Sequence, residues 1–409
     1  MSYKLLTFFL WPVFFIYTFK IALRDKSFRY FLQRLGFSYP TQRNKSIWIH
    51  CASVGEVNTY LALHLKLLER FPDKNFIITT NTVTGACTVE RHKLPRTQHY
   101  YLPVESAFAI RQFLKATRAS LCLIMETEIW PLLYKTVYTH NIPISIINAR
   151  LSHRTLSANN WVKSVYKTSL TYVDKILCKS HEELNNFKTL GAHNKQLIVA
   201  GNLKFAYADK EQTENPIKLN KQPYCLAAST HHDEELQLAL LWKKLNPDML
   251  LVIVPRHPNR SRQIQKQFDS ININYAVRSQ SDNLQDNTEI YLADTLGELT
   301  GFMMGAEFVF IGGSLVKHGG QNILESCRIG KATLCGPHMF NFTDEMNFLL
   351  KNNACIQVEN ISQLESEIST YFQNPEIFKS VGINAKKALL EQTKILEVYL
   401  SSLSVIYKF

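Results

Sequence analysis

Most of the features that assign a sequence quickly are missing from this 409-residue chain. Its eight cysteines (Cys51, Cys87, Cys122, Cys178, Cys225, Cys327, Cys335 and Cys355) are scattered, and none forms a C-x-x-C pair. They read as reduced residues of a cytosolic domain, which argues against a disulfide framework or a zinc ribbon. Low-complexity tracts and repeats at solenoid spacing are absent, so the chain is neither fibrous nor an array. No RNP, KH, zinc-finger or basic-zipper pattern occurs, so no nucleic-acid partner is expected. The lack of a G-x-G-x-x-G or Walker sequence lowers the NAD and ATP readings, and no cofactor is expected. No D-x-D pair stands where a metal would bridge a diphosphate, so no catalytic metal is expected either. A full-length hydrophobic span is missing too. The run LLTFFLWPVFFIYTF between Lys4 and Lys20 covers about 22 Å as a helix, against a hydrocarbon core of roughly 30 Å.

What is present points to a globular protein with anionic partners. Lys and Arg number 46 against 34 Asp and Glu, a net charge of +12. With nucleic acid set aside, phospholipid surfaces and phosphorylated sugars remain. The length suits two domains of roughly 150–200 residues. Residues 1–30 form an N-terminal segment in which the apolar run is followed by a basic cluster, Lys20, Arg24, Lys26 and Arg29, continuing to Arg34. Such charges keep the following chain on the cytoplasmic side and grip anionic headgroups. The segment reads as a spanning anchor, an interfacial helix or a buried core helix, and no small-x-small site marks a removable signal.

After residue 45, short β-branched runs alternate with amphipathic stretches, the pattern of βαβ units and parallel sheets. Strands are expected at 46–51, 76–80, 121–125, 144–147, 175–178 and 197–200. The polar stretch AYADKEQTENPIKLNKQ at 206–222 reads as a linker between domains at 31–205 and 223–409. The alternation restarts with strands at 224–228, 250–254, 289–292, 308–311, 332–335 and 356–358. Two doubly wound α/β domains of this kind would enclose a cleft at their strand carboxyl ends.

Chemistry-bearing residues follow several of these strands. Glu56 in Ala52-Ser53-Val54-Gly55-Glu56 is either a general base held at a strand-to-helix turn or the second half of a capping box with Ser53. Glu126 and Glu128 in METEIWP follow another apolar strand, where one of them is free to cap the helix opened by Pro131. Lys204 in GNLKF neutralises substrate charge or is a solvated loop lysine. Ser229 to Glu235 (STHHDEE) and Pro255 to Arg260 (PRHPNR) suit a phosphate monoester, or cap and decorate the surface. The paired glycines of Gly312-Gly313-Ser314 and Gly319-Gly320-Gln321-Asn322 expose N–H groups to cradle a phosphate, with Glu325 set to accept from ribose hydroxyls, or form a purely structural double turn, which would not require an acid there.

Taken in order, ASVGE, METEIWP, NARLS, GNLKF, PRHPNR, GGSLV and GPHMFNF resemble the 3-deoxy-D-manno-octulosonic acid (Kdo) transferases, from the N-terminus to at least Phe342. The resemblance implies a type B glycosyltransferase fold, two Rossmann-like domains with an N-terminal membrane-associated helix. It also implies CMP-Kdo as donor, a lipid A precursor (lipid IVA) as acceptor, and the cytoplasmic face of the inner membrane as the place of work. By motif, Glu56 matches the proton acceptor, and Glu126 and Lys204 match residues that stabilise the transition state. Pro255, Arg256, Leu296, Gly297, Glu298, Asn322, Ile323, Leu324 and Glu325 match contacts to CMP. Three positions depart from the family pattern: Asp233 for a glycine, Gln321 for a histidine, and Ala206 for an acid. The competing expectations are a sugar-nucleotide epimerase on the same fold and a non-catalytic module that binds anionic lipid.

Overall fold

The structure, a computed structural model, describes residues 3–206, 215–219, 223–281 and 284–406. The chain divides into two compact units, one of residues 1–208 with 393–409 and one of residues 209–392. Most of the linker expected at 206–222 lies outside the described residues.

Unit 1 is built on seven parallel strands: β1 (Ser46–His50), β2 (Asn75–Thr80), β3 (Thr97–Tyr101), β4 (Ala119–Met125), β5 (Ile144–Ala149), β6 (Lys175–Cys178) and β7 (Leu197–Val199). Their order is β3-β2-β1-β4-β5-β6-β7. The winding therefore reverses between β1 and β4, where the carboxyl ends of neighbouring strands diverge into loops that run to opposite faces. Every residue of β1 is buried, as a strand covered on both faces requires. Trp48 packs edge-on against Phe113 at 4.8 Å, and its indole N–H donates to Thr79 Oγ1 at 2.9 Å.

Unit 2 repeats the plan with β8 (Tyr224–Thr230), β9 (Leu250–Pro255), β10 (Tyr275–Val277), β11 (Ile290–Leu292), β12 (Phe308–Ile311), β13 (Ala332–Cys335) and β14 (Ile356–Gln357). The order β10-β11-β9-β8-β12-β13-β14 puts its reversal between β8 and β12. Trp242, Phe268, Phe308 and Phe378 fill its core.

The last helix, Lys394–Ile406, corrects the expected boundary of 223–409, because it belongs to unit 1. Its Tyr399 hydroxyl accepts from the Asn148 N–H at 3.1 Å and donates to the Gly201 carbonyl at 2.9 Å. Gly201 sits at φ +91°, and a β-carbon there would lie 2.7 Å from Ile395, so the contact needs glycine.

At the N-terminus, one helix spans Tyr3–Arg24 and turns into a second, Phe28–Arg34. Phe31 of the second meets Phe15 and Phe19 of the first at 5.4 and 5.6 Å. Val13, Ile16, Tyr17 and Leu23 are exposed, and Phe19 remains half-exposed despite that contact. Among the described residues no helix is long and apolar enough to cross a membrane. The basic cluster is also partly spent inside the unit. Arg29 pairs with Glu90 at 2.9 Å, and Arg34 donates to Asn81 Oδ1 and the Leu102 carbonyl at 3.2 and 2.8 Å.

Candidate active site

In unit 1 an acid follows each of the two strands that flank the reversal. Glu56 stands in the first turn of the helix Val54–Arg70, which follows β1. Ser53 caps that helix with extended backbone and accepts from the Glu56 N–H at 3.4 Å. The Glu56 carboxylate in turn accepts from the Ala52 N–H at 2.8 Å and the Ser53 hydroxyl at 3.2 Å. Capping and catalysis, set against each other on the sequence, are thus compatible: the reciprocal cap fixes the side chain. Burial pushes the Glu56 carboxyl up to about 7, with Glu126 and Glu128 adding repulsion, against the lowering effect of the Ala52 and Ser53 bonds. A carboxylate so placed gives and takes a proton near neutral pH.

Glu126 directly follows β4, buried and in the left-handed region at φ +55°. A non-glycine residue held there is strained, and the Arg150 Nε–H bond to Glu126 Oε2 at 2.6 Å is one contact that fixes it. Arg150 is a functional candidate that the sequence reading passed over. Its signal was its place in NARLS, immediately after β5. Glu128 accepts from Trp130 Nε1 at 2.8 Å and from Asn81 Nδ2 at 3.5 Å, and His50 Nε2 lies 3.9 Å away. Its carboxyl is lowered overall: burial raises it, but the His50, Trp130 and Asn81 contacts outweigh burial. Neither acid is bound as a cap on the helix Pro131–Thr139. That role falls to Glu105, whose Oε1 accepts from the Leu132 N–H at 2.6 Å.

Lys204 follows the edge strand β7, yet its turn is drawn back across the sheet. The Leu203 N–H donates to Asn148 Oδ1 at the end of β5, and the Lys204 N–H to Asn202 Oδ1, both at 3.0 Å. Ala206, one of the three departures, is buried beside Phe205 at the close of this turn.

In unit 2 the loops after β11, β9, β8 and β12 lie side by side along one edge of the sheet, across about 15 Å at 4.8 Å per strand. They carry the residues matched to CMP. Arg256 is exposed after Pro255, which closes β9. Leu296 is 83% exposed, and Gly297 has φ +87° with nothing near its missing side chain, so this corner is open. Glu298 pairs with Arg278 at 2.5 Å, which together with Thr295 holds its carboxyl low. Asn322 Nδ2 donates to Glu325 Oε1 at 2.7 Å, while Ile323 and Leu324 are buried and present only backbone outward.

Two expectations for this edge need correction. The N–H groups of Gly313, Ser314 and Leu315 do form a nest, but the buried Glu234 carboxylate fills it at 2.6, 3.0 and 3.0 Å. A phosphate therefore has no access to those donors. Arg260 of PRHPNR is likewise taken: it grips the fully buried Glu235 with two bonds of 2.9 and 3.1 Å, and Thr230 completes the clamp at 3.0 Å. Glu234 and Glu235 of STHHDEE are therefore structural, and Arg256 is the arginine of PRHPNR left facing outward. The other departures are accommodated. Asp233 keeps the left-handed backbone, φ +73°, that a glycine adopts freely, and Gln321 Nε2 lies 2.8 Å from His231 Nε2. Among the described residues no group of three or more His, Cys, Asp or Glu side chains is arranged to hold a metal ion.

Comparison with known proteins bears on the same motifs. A family model for 3-deoxy-D-manno-octulosonic-acid transferase (kdotransferase) matches residues 29–207. The 3-deoxy-D-manno-octulosonic acid transferase of Haemophilus influenzae is 32% identical over 393 residues, 92% of this chain and 91% of that protein. That of Rickettsia bellii is 29% identical over 420 residues, 100% of this chain and 99% of its own. Among solved structures, the UDP-GlcNAc 2-epimerase of Neisseria meningitidis superposes with a TM-score of 0.57 at 13% identity. It covers 88% of this chain and 99% of its own, a likeness that shows the two-unit fold alone. On the sequence relatives, which span nearly the whole chain, this protein belongs to the 3-deoxy-D-manno-octulosonic acid transferase family of glycosyltransferases.

Proposed function

We propose that the protein transfers Kdo from CMP-Kdo to a sugar hydroxyl of a lipid A precursor (lipid IVA), with inversion at the anomeric carbon. The observation that carries this reading is the Glu56 carboxyl, held by two hydrogen bonds at the sheet reversal and raised to about 7. Glu56 takes the proton of the acceptor hydroxyl as that oxygen bonds to the anomeric carbon of Kdo. The bond from that carbon to the CMP phosphate breaks, and CMP leaves with its electron pair. Glu126, aligned by Arg150, and Lys204 orient the reactants and balance the charge that develops. In unit 2, Arg256, the open Leu296–Gly297 corner, Glu298 and the Asn322–Glu325 pair are the groups suited to CMP.

The acceptor is a lipid, and the apolar face of the helix Tyr3–Arg24 supports work at an anionic membrane surface, the cytoplasmic face of the inner membrane. Ile16, Phe19 and Leu23 recur at helical spacing on it and are all exposed, with Lys20 and Lys26 beside them. The test is incubation with CMP-Kdo and tetraacylated lipid A precursor, followed by mass spectrometry of the lipid. The expected product gains the mass of Kdo in whole-number multiples. Unchanged lipid with folded enzyme refutes the proposal, and loss of CMP-Kdo without lipid modification favours a soluble conversion such as epimerisation.

A further inference from the structure

Beside the METEIWP turn, unit 1 carries two adjoining hollows, each of about 310 Å³, which share Tyr3, Pro131, Trp161 and Val165 as walls. One continues over Leu132, Thr168 and Tyr172, and the other runs up to Thr127 and Glu128. Together they form a trough between the helices Pro131–Thr139 and Asn160–Leu170, roofed at one end by the first residue of the N-terminal helix.

Several polar groups of its wall are engaged within the protein. Tyr3 donates to Glu105 and Trp130 Nε1 to Glu128. The Thr168 and Ser169 hydroxyls bond back to the Ser164 and Val165 carbonyls at 2.9 and 2.8 Å. The hollow over Leu132, Val165 and Tyr172 is walled mainly by ring and aliphatic surface, which suits an alkyl chain, while polar groups gather at the end near Thr127 and Glu128. The trough ends near the site of chemistry, since Glu128 at its end is two residues from Glu126, about 7 Å of chain at most. Lys135, exposed on its wall, offers a cation to an anionic headgroup.

On this basis, and resting on the transferase reading above, we propose that the trough is an acyl-chain subsite. One fatty-acyl chain of the acceptor lies between Tyr3, Trp161 and Val165 while the sugar hydroxyl is presented to Glu56. The enzyme then selects its acceptor by drawing a chain out of the bilayer as well as by reading the sugar. The Tyr3–Glu105 contact gives the N-terminal helix a part in this, because Glu105 caps the helix that forms one wall of the trough.

The experiment compares tetraacylated acceptor with its fully deacylated sugar bisphosphate. Val165→Trp, which fills the trough, and Trp161→Ala, which removes a wall, are both expected to lower kcat/KM on the acylated acceptor about tenfold or more. That is the scale of leaving two methylene groups in water at about 0.8 kcal/mol each. On the deacylated acceptor both variants should stay within about twofold of wild type, which also shows that they are folded and competent. Equal losses on the two acceptors, or no loss on the acylated one, overturns the subsite. A second arm needs no turnover: an acceptor with a diazirine in its acyl chain is photolysed on the full-length protein. Crosslinks on residues 127–135 and 160–172 are expected, whereas crosslinks confined to Ile16, Phe19 and Leu23 mean that the chain stays in the bilayer, which overturns the proposal. Wild-type enzyme that modifies neither acceptor would remove the transferase reading, and the photolabelling would still decide the trough.

Discussion

Glu56→Gln should separate activity from stability in a way that only a destabilised carboxylate permits. The Glu56 carboxyl rises from its ordinary 4.5 to about 7. At about 1.36 kcal/mol per pH unit, that is roughly 3 kcal/mol, and partial exposure to solvent reduces it to about 1–3 kcal/mol. Between pH 4.5 and 7 the folded protein keeps a proton that the unfolded chain has lost. Stability therefore falls as pH rises through that window and levels off above it. Glutamine carries no such cost. Glu56→Gln should lie within about 1 kcal/mol of wild type at pH 5, where the window has only begun, and at pH 8 it should be the more stable protein by about 1–3 kcal/mol. For a unit of this size each kcal/mol moves Tm by about 2–4 °C. Turnover should be lost at both pH values. In the wild type, kcat/KM should climb with pH to a plateau above about 7, with roughly a tenth of the plateau left at pH 6. Differential scanning fluorimetry at pH 5 and 8, together with a CMP-release assay from pH 5 to 9, makes the comparison. A Tm difference between variant and wild type that does not grow with pH, or a limb that ends below about pH 5.5, refutes the reasoning. So does retained transfer by the variant.

Other perturbations probe the groups around it. Glu128→Gln keeps an acceptor for Trp130 but removes one of the charges that raise Glu56, so the acidic limb of the pH profile should move to lower pH by a fraction of a unit. Arg150→Met leaves Glu126 buried without this charged partner, and turnover should fall about 10- to 100-fold, with Arg150→Lys recovering part of it. Glu234→Gln weakens the charge-assisted bonds that hold the Gly313–Leu315 nest and should lower the melting point of unit 2 by the equivalent of about 1–3 kcal/mol, read by thermal unfolding. Ile16→Glu combined with Phe19→Glu should weaken co-sedimentation with anionic vesicles by about tenfold, while transfer to detergent-dispersed acceptor stays near wild type.

The fold was legible wherever burial on both faces forces a continuous apolar run. β6, β12 and β13 stand at their expected residues, and the other expected strands shift by one or two. The strands that the reading missed, β3 and β10, lie at sheet edges, where TQHYY and YAV need not be apolar throughout. The last helix was assigned to the wrong unit for a related reason. Amphipathic spacing shows that Ile395, Leu396, Tyr399 and Leu403 are buried, and it does not say against which core. Arg150 escaped notice because its significance depends on β5 lying next to β4, a neighbour relation that no local pattern contains.

The hardest distinction to read was between acids of one apparent kind. Glu56 and Glu234 both stand in the first turn of the helix that follows the first strand of their unit, beside the point where the sheet reverses. Both accept backbone N–H bonds. The Glu56 carboxylate takes one, from Ala52, plus the Ser53 hydroxyl, so it keeps lone pairs for a substrate proton. Glu234 accepts from the His231, Gly313, Ser314 and Leu315 N–H groups, which saturates it and leaves nothing to react. The difference comes from the neighbouring loop. After β12, Gly312 lets the backbone close onto β8, because a β-carbon there would lie 2.5 Å from the Ser229 carbonyl, and the chain can then wrap its N–H groups around the acid. The chain after β4 does not close over Glu56 in this way: it turns at Glu126, whose own N–H goes to the Ile147 carbonyl at 2.9 Å. One carboxylate is thus free to exchange a proton and the other serves as an internal anion, and only the loop one strand away decides which is which.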